Sequence, residues 1–152
     1  MTGARLRRLL VLGHWLLAPV LASTASAATE ACTVPVAGEE RSANLESGRR
    51  AFLKCRACHT LGEGERHLVG PNLWHMFRRP AGSAAGFSYS PAIRPDLGPW
   101  TNDSLDRFLA QPSKALPGNR MVFAGLSNPA ERAHVIVYLR QHTGDPQPGC
   151  QP

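Results

Sequence analysis

Two cysteines and a histidine lie close together in the stretch KCRACHT, which runs from Lys54 to Thr60. Cys55 and Cys58 are three positions apart, and His59 follows directly. Two thiols and one imidazole in this arrangement are compatible with three kinds of chemistry: a zinc site, a thiol–disulfide redox pair, or a covalently attached haem. The rest of the chain has to distinguish between them.

The zinc site and the redox pair both lack the partners they need. A structural zinc site takes four ligands, and no second pair of ligands occurs at metal-binding spacing. The histidines available for such a pair are His67, His75, His134 and His142. A thioredoxin-like pair belongs beside a βαβ unit, which this sequence does not show. CxxCH, in contrast, is the pattern of c-type haem attachment, in which each thiol adds to a vinyl group and the histidine binds iron. The sequence therefore predicts one covalently bound haem c.

The second axial ligand of the iron is predicted from the methionines. Besides the initiator, the chain contains Met76 and Met121. Met76 lies in a stretch rich in apolar residues, and we expect it in the core. Met121 lies in LPGNRMVFAGL, outside any predicted helix. Its thioether would favour ferrous iron and raise the reduction potential.

The N-terminus has the layout of a secretory signal peptide. Its parts are the basic residues Arg5, Arg7 and Arg8, the apolar run Leu9–Leu21, and the small residues Ala25-Ser26-Ala27. Cleavage is predicted after Ala27 or Ala28. An uncleaved membrane anchor is disfavoured, because the apolar run contains His14 and Pro19 and is shorter than the roughly 20 residues a bilayer requires. A transit peptide would be amphipathic. We expect export to the periplasm and no stable membrane insertion after cleavage.

The mature chain is less basic than its precursor. The whole chain has a formal charge of +6, and removing residues 1–28 takes away three arginines and no acidic residue, which leaves +3. We expect no nucleic-acid partner, because domains that bind nucleic acid carry a denser basic stripe. Seven basic residues lie between Arg49 and Arg79, against only Glu63 and Glu65. This clustering is typical of a protein that meets an acidic partner, and equally of a solvated charged face.

The chain divides into four predicted segments: the signal peptide over 1–28, a loose extension over 29–44, a haem-binding domain over 45–143 and a polar tail over 144–152. The domain shows no internal repeats and no strand alternation, so an all-α fold is predicted. The glycine- and proline-rich stretch from Pro80 to Pro99 is predicted to be loop. Loops of that length usually wrap something.

Capping residues and apolar spacing predict the helices. The first begins at Leu45 and runs through Gly48 and Phe52 into Cys55. Gly70-Pro71 is predicted to open a helical turn, since proline suits a first-turn position. The buried residues of this turn are predicted to be Leu73, Trp74 and Phe77.

The later helices are predicted in the same way. Thr101 is a predicted N-cap for a helix that ends at Pro112. Its apolar positions are Leu105, Phe108 and Leu109. Val135–Leu139 (VIVYL) favours a strand by propensity alone. However, Asn128–Glu131 combines an N-cap, a first-turn proline and a third-position glutamate, and the run continues to Gly144. A helix is therefore predicted.

Together these stretches resemble the soluble class I cytochromes c, and most closely mitochondrial cytochrome c and its periplasmic bacterial relatives. The resemblance extends from about Leu45 to Thr143 without insertions. The stretches that carry it are CRACHT, GPNLWHMF, the GFSYSPA loop, Trp100, PGNRMVFAGL and ERAHVIVYLRQ. It implies the small cytochrome c fold, with few helices and long loops wrapped around one covalently bound haem.

The resemblance also implies roles for the residues around that haem. Cys55 and Cys58 would form the thioethers, while His59 and Met121 would ligate a low-spin iron. The carbonyl of Pro71 would accept a hydrogen bond from His59. The residues that match those neutralising or hydrogen-bonding a buried haem propionate are Arg79, Tyr89 and Trp100.

Further positions are matched outside the iron site. Phe123 matches the aromatic residue beside the exposed haem edge, where electrons enter and leave. The resemblance also implies that the first helix crosses the last one. The residues at this crossing would be Gly48, Phe52, Val135 and Tyr138.

The chain departs from the mitochondrial pattern at its surface and in its pocket. Ile93 replaces an asparagine that helps to order internal water, which suggests a drier pocket. Ser127-Asn128-Pro129 replaces a run of lysines, and Lys54 and Lys114 are the only lysines in the chain. Docking is therefore expected to rely on arginines. The candidates are Arg49, Arg50, Arg56 and Arg120.

Cys32 and Cys150 lie outside the region of resemblance. They flank the first and last helices, which the family fold brings together. We predict a disulfide between them, and the alternative is a free or intermolecular thiol. Thr29-Glu30-Ala31 does not match the sequence that precedes a lipid-modified cysteine.

The function implied is that of a monomeric one-electron carrier without catalysis of its own. Its partners would be acidic-faced redox proteins: a quinol-oxidising complex, an oxidase, a reaction centre or a dehydrogenase. Two alternatives stay open at this point. One is a haem-based ligand sensor or peroxidase, in which Met121 leaves the iron easily. The other is a fixed electron-transfer subunit of a periplasmic dehydrogenase.

Phe108 generates a prediction about the reduction potential. It stands where the mitochondrial pattern has a tyrosine whose hydroxyl donates to the methionine sulfur. Without that donor the sulfur gives more electron density to ferric iron, so the potential of the wild-type protein is expected to lie below that of Phe108→Tyr. Paired voltammetry of the two proteins checks this, and equal or reversed potentials contradict it.

Overall fold

The computed structural model describes residues 32–150, and the predicted signal peptide lies outside them. The helices of this part are α1 (Leu45–Phe52), α2 (Asn102–Ala110), α3 (Pro112–Ala115) and α4 (Pro129–His142), with one 3-10 turn at Pro95–Leu97. Two short strands, β1 (Thr33–Val36) and β2 (Glu39–Ser42), precede them. The prediction of an all-α fold with few helices and long loops is confirmed. None of the described helices is both long and apolar enough to span a membrane.

The first and last helices cross at Gly48. A Cβ on this residue would lie 2.3 Å from the carbonyl oxygen of His134 and 2.5 Å from Cβ of Tyr138, so only glycine permits the approach. Beside the crossing, the rings of Phe52 and Tyr138 pack with their centroids 5.5 Å apart. This contact fixes the direction in which the chain leaves α1.

The β-prone run at the end of the chain forms a helix because of its start and its surroundings. The side chain of Asn128 accepts a hydrogen bond from the N–H of Ala130 at 2.9 Å, and Pro129 occupies the first turn. The residues Val135, Ile136 and Val137 are all fully buried. A helix that is apolar on several sides needs partners on several sides, and α4 has them in α1, α2 and the two strands.

The predicted loose extension over 29–44 is wrong where the structure describes it. Residues 33–42 form an antiparallel hairpin in which Thr33 pairs with Ser42 and Val36 with Glu39. Ala37 and Gly38 form its turn with φ values of 55° and 77°, which suit a two-residue hairpin loop. Val34 and Val36 are buried against the helices. The alternation of buried and outward residues spans only four positions, which is too short to stand out in the sequence.

A buried ion pair connects this hairpin to the helices. The N–H of Ala37 donates to Oδ2 of Asp106 at 2.9 Å, and Nε of Arg132 donates to Oδ1 of the same carboxylate at 2.5 Å. Arg132 also donates to the carbonyls of Leu126 and Ser127 at 2.8 and 3.1 Å. Buried charges of this kind need such partners to offset their desolvation. The hairpin, α2 and α4 therefore share one polar network.

The predicted disulfide between Cys32 and Cys150 is present. The tail that carries Cys150 returns along the helices, where Asp145 pairs with Arg78 and Arg140. Arg140 also lies over the ring of Phe77, 4.2 Å from its centroid. The last segment before the disulfide is thus packed against the domain.

The remaining predictions are confirmed in part. Thr101 caps α2 through a reciprocal pair of bonds with Ser104, and residues 80–99 are irregular apart from the 3-10 turn. Pro112 ends α2 but also begins α3.

The turn predicted after Pro71 is a series of hydrogen-bonded turns rather than helix. His75, with φ of 57°, breaks it and donates its N–H to Thr143 at 2.9 Å. Phe77 is buried as predicted, while Leu73 and Trp74 are only partly buried. Met76 lies in the core, as expected.

The disulfide gives a testable prediction of stability. It joins cysteines that are 118 positions apart in the chain, and closing a loop of about this length removes enough entropy from the unfolded chain for a stabilisation of about 2–5 kcal/mol. The double variant Cys32→Ser/Cys150→Ser is expected to lose that much free energy of unfolding in denaturant titrations. In the wild-type protein, the intact mass after reduction and alkylation should show two more modified thiols than alkylation without reduction. A gain of none would contradict the bridge.

Candidate functional site

Hydrogen-bonded turns carry the chain from α1 through the two cysteines to the histidine. The N–H of Cys55 donates to the carbonyl of Phe52 at 2.8 Å, and those of Cys58 and His59 donate to the carbonyl of Cys55 at 2.9 and 3.0 Å. Both thiols are free and partly buried. The turns keep the two sulfurs and the imidazole on one compact unit at the end of α1.

The ring of His59 is held by its neighbours on two sides. Its Nδ1 lies 2.8 Å from the carbonyl oxygen of Pro71, which accepts the hydrogen bond. On the flat side, a Cβ on Gly70 would come within 2.4 Å of Cε1, so this glycine leaves the space that the ring uses. With the proton on Nδ1, the lone pair on Nε2 is available. That is the tautomer a metal-binding histidine requires.

Burial affects both the histidine and one thiol. Burial lowers the pKa of His59, and the hydrogen bond to Pro71 opposes this in part. The neutral imidazole is therefore favoured. Burial raises the pKa of the Cys55 thiol to about 11. A thioredoxin-like pair needs a readily formed thiolate, so this environment is unfavourable for it. Within residues 32–150, no three or more His, Cys, Asp or Glu side chains form a group that could hold a metal ion.

Met121 lies on an irregular segment between α3 and α4 and is partly buried. This segment is pressed against α2: a Cβ on Gly125 would lie 2.3 Å from the carbonyl oxygen of Ala110. The N–H of Leu126 donates to the carbonyl of Leu109 at 2.7 Å. Val122, directly after Met121, is fully exposed, whereas Phe123 turns back toward the core.

Several apolar side chains between Leu61 and Phe123 are only partly buried. They pack against the core on one side and are incompletely covered on the other; they are Leu61, Leu73, Trp100, Leu116, Met121 and Phe123. The ring centroids of Trp100 and Phe108 lie 5.0 Å apart. Such a set has the composition of a wall for a large apolar ligand.

Two polar side chains, those of Arg79 and Ser90, could take a further, anionic partner. Arg79 is partly buried and donates to the carbonyls of Trp74 and Asn72 at 3.1 and 3.0 Å. Among the described residues no carboxylate lies within 4 Å of it. Ser90 is buried, and its hydroxyl has no hydrogen-bond partner in the described part of the chain. An anionic group such as a haem propionate would satisfy a cation and a hydroxyl of this kind.

The residues present therefore fit a haem. The predicted residues Arg79, Tyr89 and Trp100 are partly buried, and Tyr89 packs edge-on against Phe87 at 4.8 Å. Ser90 was missed by the sequence analysis. A loop serine has no distinctive pattern, and its position directly after Tyr89 is the only signal that could have indicated it.

His67 was also missed, and it joins two segments of the site. Its Nδ1 accepts from the N–H of Asn72 at 2.9 Å, and its Nε2 donates to the carbonyl of Ala85 at 2.9 Å. The side chain of Asn72 in turn donates to Thr60 and Gly62. The long loop is thereby tied to the backbone that presents Pro71 to His59.

Comparison with known proteins finds relatives that are named as cytochromes c or their homologs. No family model matches the chain. A cytochrome c of Chlamydomonas reinhardtii is 44% identical over 106 residues, which cover 69% of this chain and 95% of that protein. A cytochrome c homolog of Rickettsia felis is 39% identical over 118 residues, covering 78% of this chain and 67% of the relative. The solved structure of cytochrome cH from Methylobacterium extorquens shares 35% identity with a TM-score of 0.59, covering 64% of this chain and 98% of that one.

Proposed function

This chain belongs to the class I cytochrome c family, and we propose that it is a periplasmic carrier of single electrons that holds one haem c. When bound, haem c supplies one iron that alternates between the ferrous and ferric states. The observation that carries the proposal for this chain is the hydrogen bond from His59 to the carbonyl of Pro71. It leaves a neutral nitrogen available directly after two thiols at attachment spacing.

Each residue of the site then has a defined role. Cys55 and Cys58 would form the thioethers, and His59 through Nε2 and Met121 through its sulfur would bind the iron. Arg79, Tyr89, Trp100 and Ser90 would hold the propionates. The apolar wall would exclude water, so that a change of charge at the iron would require little rearrangement of solvent. Phe123 would lie beside the haem edge through which electrons pass.

The ion pairs refine the expected docking surface. Arg49 and Arg50 were candidates, but both pair with Glu46. Lys54 pairs with Glu131 at 2.5 Å. The Lys54 pair is neutral at a distance, whereas two arginines on one carboxylate leave a single net positive charge, so these pairs add less attraction for a partner than three free cations would.

Four exposed cations have no carboxylate within 4 Å among the described residues. They are Arg56, Arg66, Lys114 and Arg120. Arg56 lies between the two cysteines, Arg66 bonds to Thr60 through its carbonyl, and Arg120 precedes Met121. Val69 and Val122, 83% and 103% exposed, lie on the His59 and Met121 sides of the site. We propose that Arg56, Arg66, Lys114 and Arg120 form one surface with the two valines, and that this surface meets an acidic redox protein.

The proposal of one haem and two axial ligands is tested on protein produced in a host that can attach haem. The intact mass should exceed that of the polypeptide by one haem. The oxidised protein should show the near-infrared iron–thioether band, and the reduced protein should not bind carbon monoxide. Carbon monoxide binding without the band would favour a ligand sensor or peroxidase instead. A mass equal to the polypeptide alone would refute the proposal.

The docking surface predicts opposite responses to anionic and cationic oxidants. The double variant Arg66→Ala/Lys114→Ala removes two unpaired positive charges. Its rate of oxidation by hexacyanoferrate(III) should fall about twofold for each charge removed at 0.1 M salt. Its rate with the cationic tris(phenanthroline)cobalt(III) should rise.

The matched control is Arg94→Ala/Arg107→Ala, which makes the same change in net charge. These two arginines pair with Asp96 and Asp103. Both lie outside the proposed surface, and charges beyond about a Debye length are screened, so their removal should change both rates much less than removal of Arg66 and Lys114. Equal responses of the two double variants would show that net charge, rather than this surface, sets the rates.

A further inference from the structure

The segment that carries Met121 makes few hydrogen bonds of its own. The N–H of Phe123 donates to the carbonyl of Met121 at 3.1 Å, and the next bonded N–H along the chain is that of Leu126. Val122 is fully exposed, and its N–H has no partner among the described residues. The N–H of Met121 donates to Oδ1 of Asn119 at 3.0 Å. One side chain therefore supplies the bond nearest to the predicted ligand.

The amide of Asn119 uses its other end as well. Its Nδ2 donates to the carbonyl oxygens of Pro112 and Leu116 at 2.9 and 2.8 Å. The orientation of the amide follows from these partners. Reversing it would place its oxygen against two carbonyls and its NH₂ group against the N–H of Met121. Asn119 thus makes three bonds, each to backbone.

The two carbonyls belong to a firmly held element. Pro112 is fully buried at the start of α3, and the N–H of Leu116 donates back to its carbonyl at 3.0 Å. The chain then turns at Gly118, with φ of 84°, and the N–H of Asn119 donates to the carbonyl of Leu116 at 3.1 Å. Asn119 is therefore fixed to α3, and through its side chain it fixes the backbone of Met121.

A thioether is a neutral, weakly donating ligand, so no charge attraction keeps it on an iron. How long it stays bound depends on how closely the protein confines it. We propose that Asn119 is a positioning residue that holds Met121 within reach of the haem iron and so keeps external ligands away. This inference rests on the proposed function, because it requires Met121 to be an axial ligand.

The test uses the complete haem-containing protein and two variants. Asn119→Ala removes all three bonds. Asn119→Asp keeps an acceptor for Met121 but places a carboxylate oxygen against the carbonyls of Pro112 and Leu116. In both, the near-infrared iron–thioether band should weaken. The affinity of the ferric protein for imidazole should rise about tenfold in Asn119→Ala, the change expected from the net free energy of about one hydrogen bond.

Asn128→Ala is the matched control. Asn128 also accepts a backbone N–H, that of Ala130, but it caps α4 and makes no bond to Met121. In Asn128→Ala, the intensity of the iron–thioether band and the affinity for imidazole should stay within about twofold of the wild type. This should hold even if the unfolding midpoint falls as far as that of Asn119→Ala. If both variants lose the band in proportion to their stability, Asn119 is merely structural and the proposal is overturned. An unchanged band and affinity in Asn119→Ala overturn it too.

Hydrogen exchange of the wild-type protein tests the same proposal without any variant. The bonded N–H of Met121 should exchange more slowly than the unbonded N–H of Val122. Equal rates would overturn the positioning role. A wild-type protein that carries haem but lacks the thioether band would instead refute the proposed ligation by Met121, which keeps the two failures distinct.

Discussion

The close contact between α1 and α4 at Gly48 is the constraint on which the rest of the structure depends. Because the backbone of α1 lies directly on α4 there, the end of α1 has one direction in which to continue. The turns that follow carry Cys55, Cys58 and His59 in that direction. The carbonyl of Pro71 then meets the histidine from a different part of the chain. A side chain at position 48 would separate the helices and move all of these groups together.

The sequence was sufficient for the parts of the molecule whose signals are local. Thr101 and Asn128 are helix caps that act within their own first turns, so they identified α2 and α4 correctly even where VIVYL favoured a strand. Cys55, Cys58 and His59 are adjacent in the chain and needed no tertiary information. The choice between only two candidate methionines indicated Met121, and family resemblance then added Arg79 and the disulfide, which periodicity could not have done.

What the sequence did not reveal depends on contacts between distant segments. Val34 and Val36 form a strand because α2 and α4 present an apolar surface to them. His75 interrupts a turn because its backbone bonds to Thr143. In both cases the partner lies on a remote element, where composition carries no information about it. The pairing of Arg49 and Arg50 with Glu46 is different, because it lies at i,i+3 and i,i+4 spacing within α1 and could have been predicted from the sequence.

The bridge from Cys32 to Cys150 joins the two ends of the described chain, so the backbone between them is topologically a closed ring. A single proteolytic cut in the exposed loop between Pro80 and Pro99 would open this ring without releasing a fragment. The two pieces would stay covalently linked, and each would keep one of the crossing helices. Religation of such a nicked molecule would therefore be an intramolecular reaction, governed by the geometry of the cut ends rather than by protein concentration.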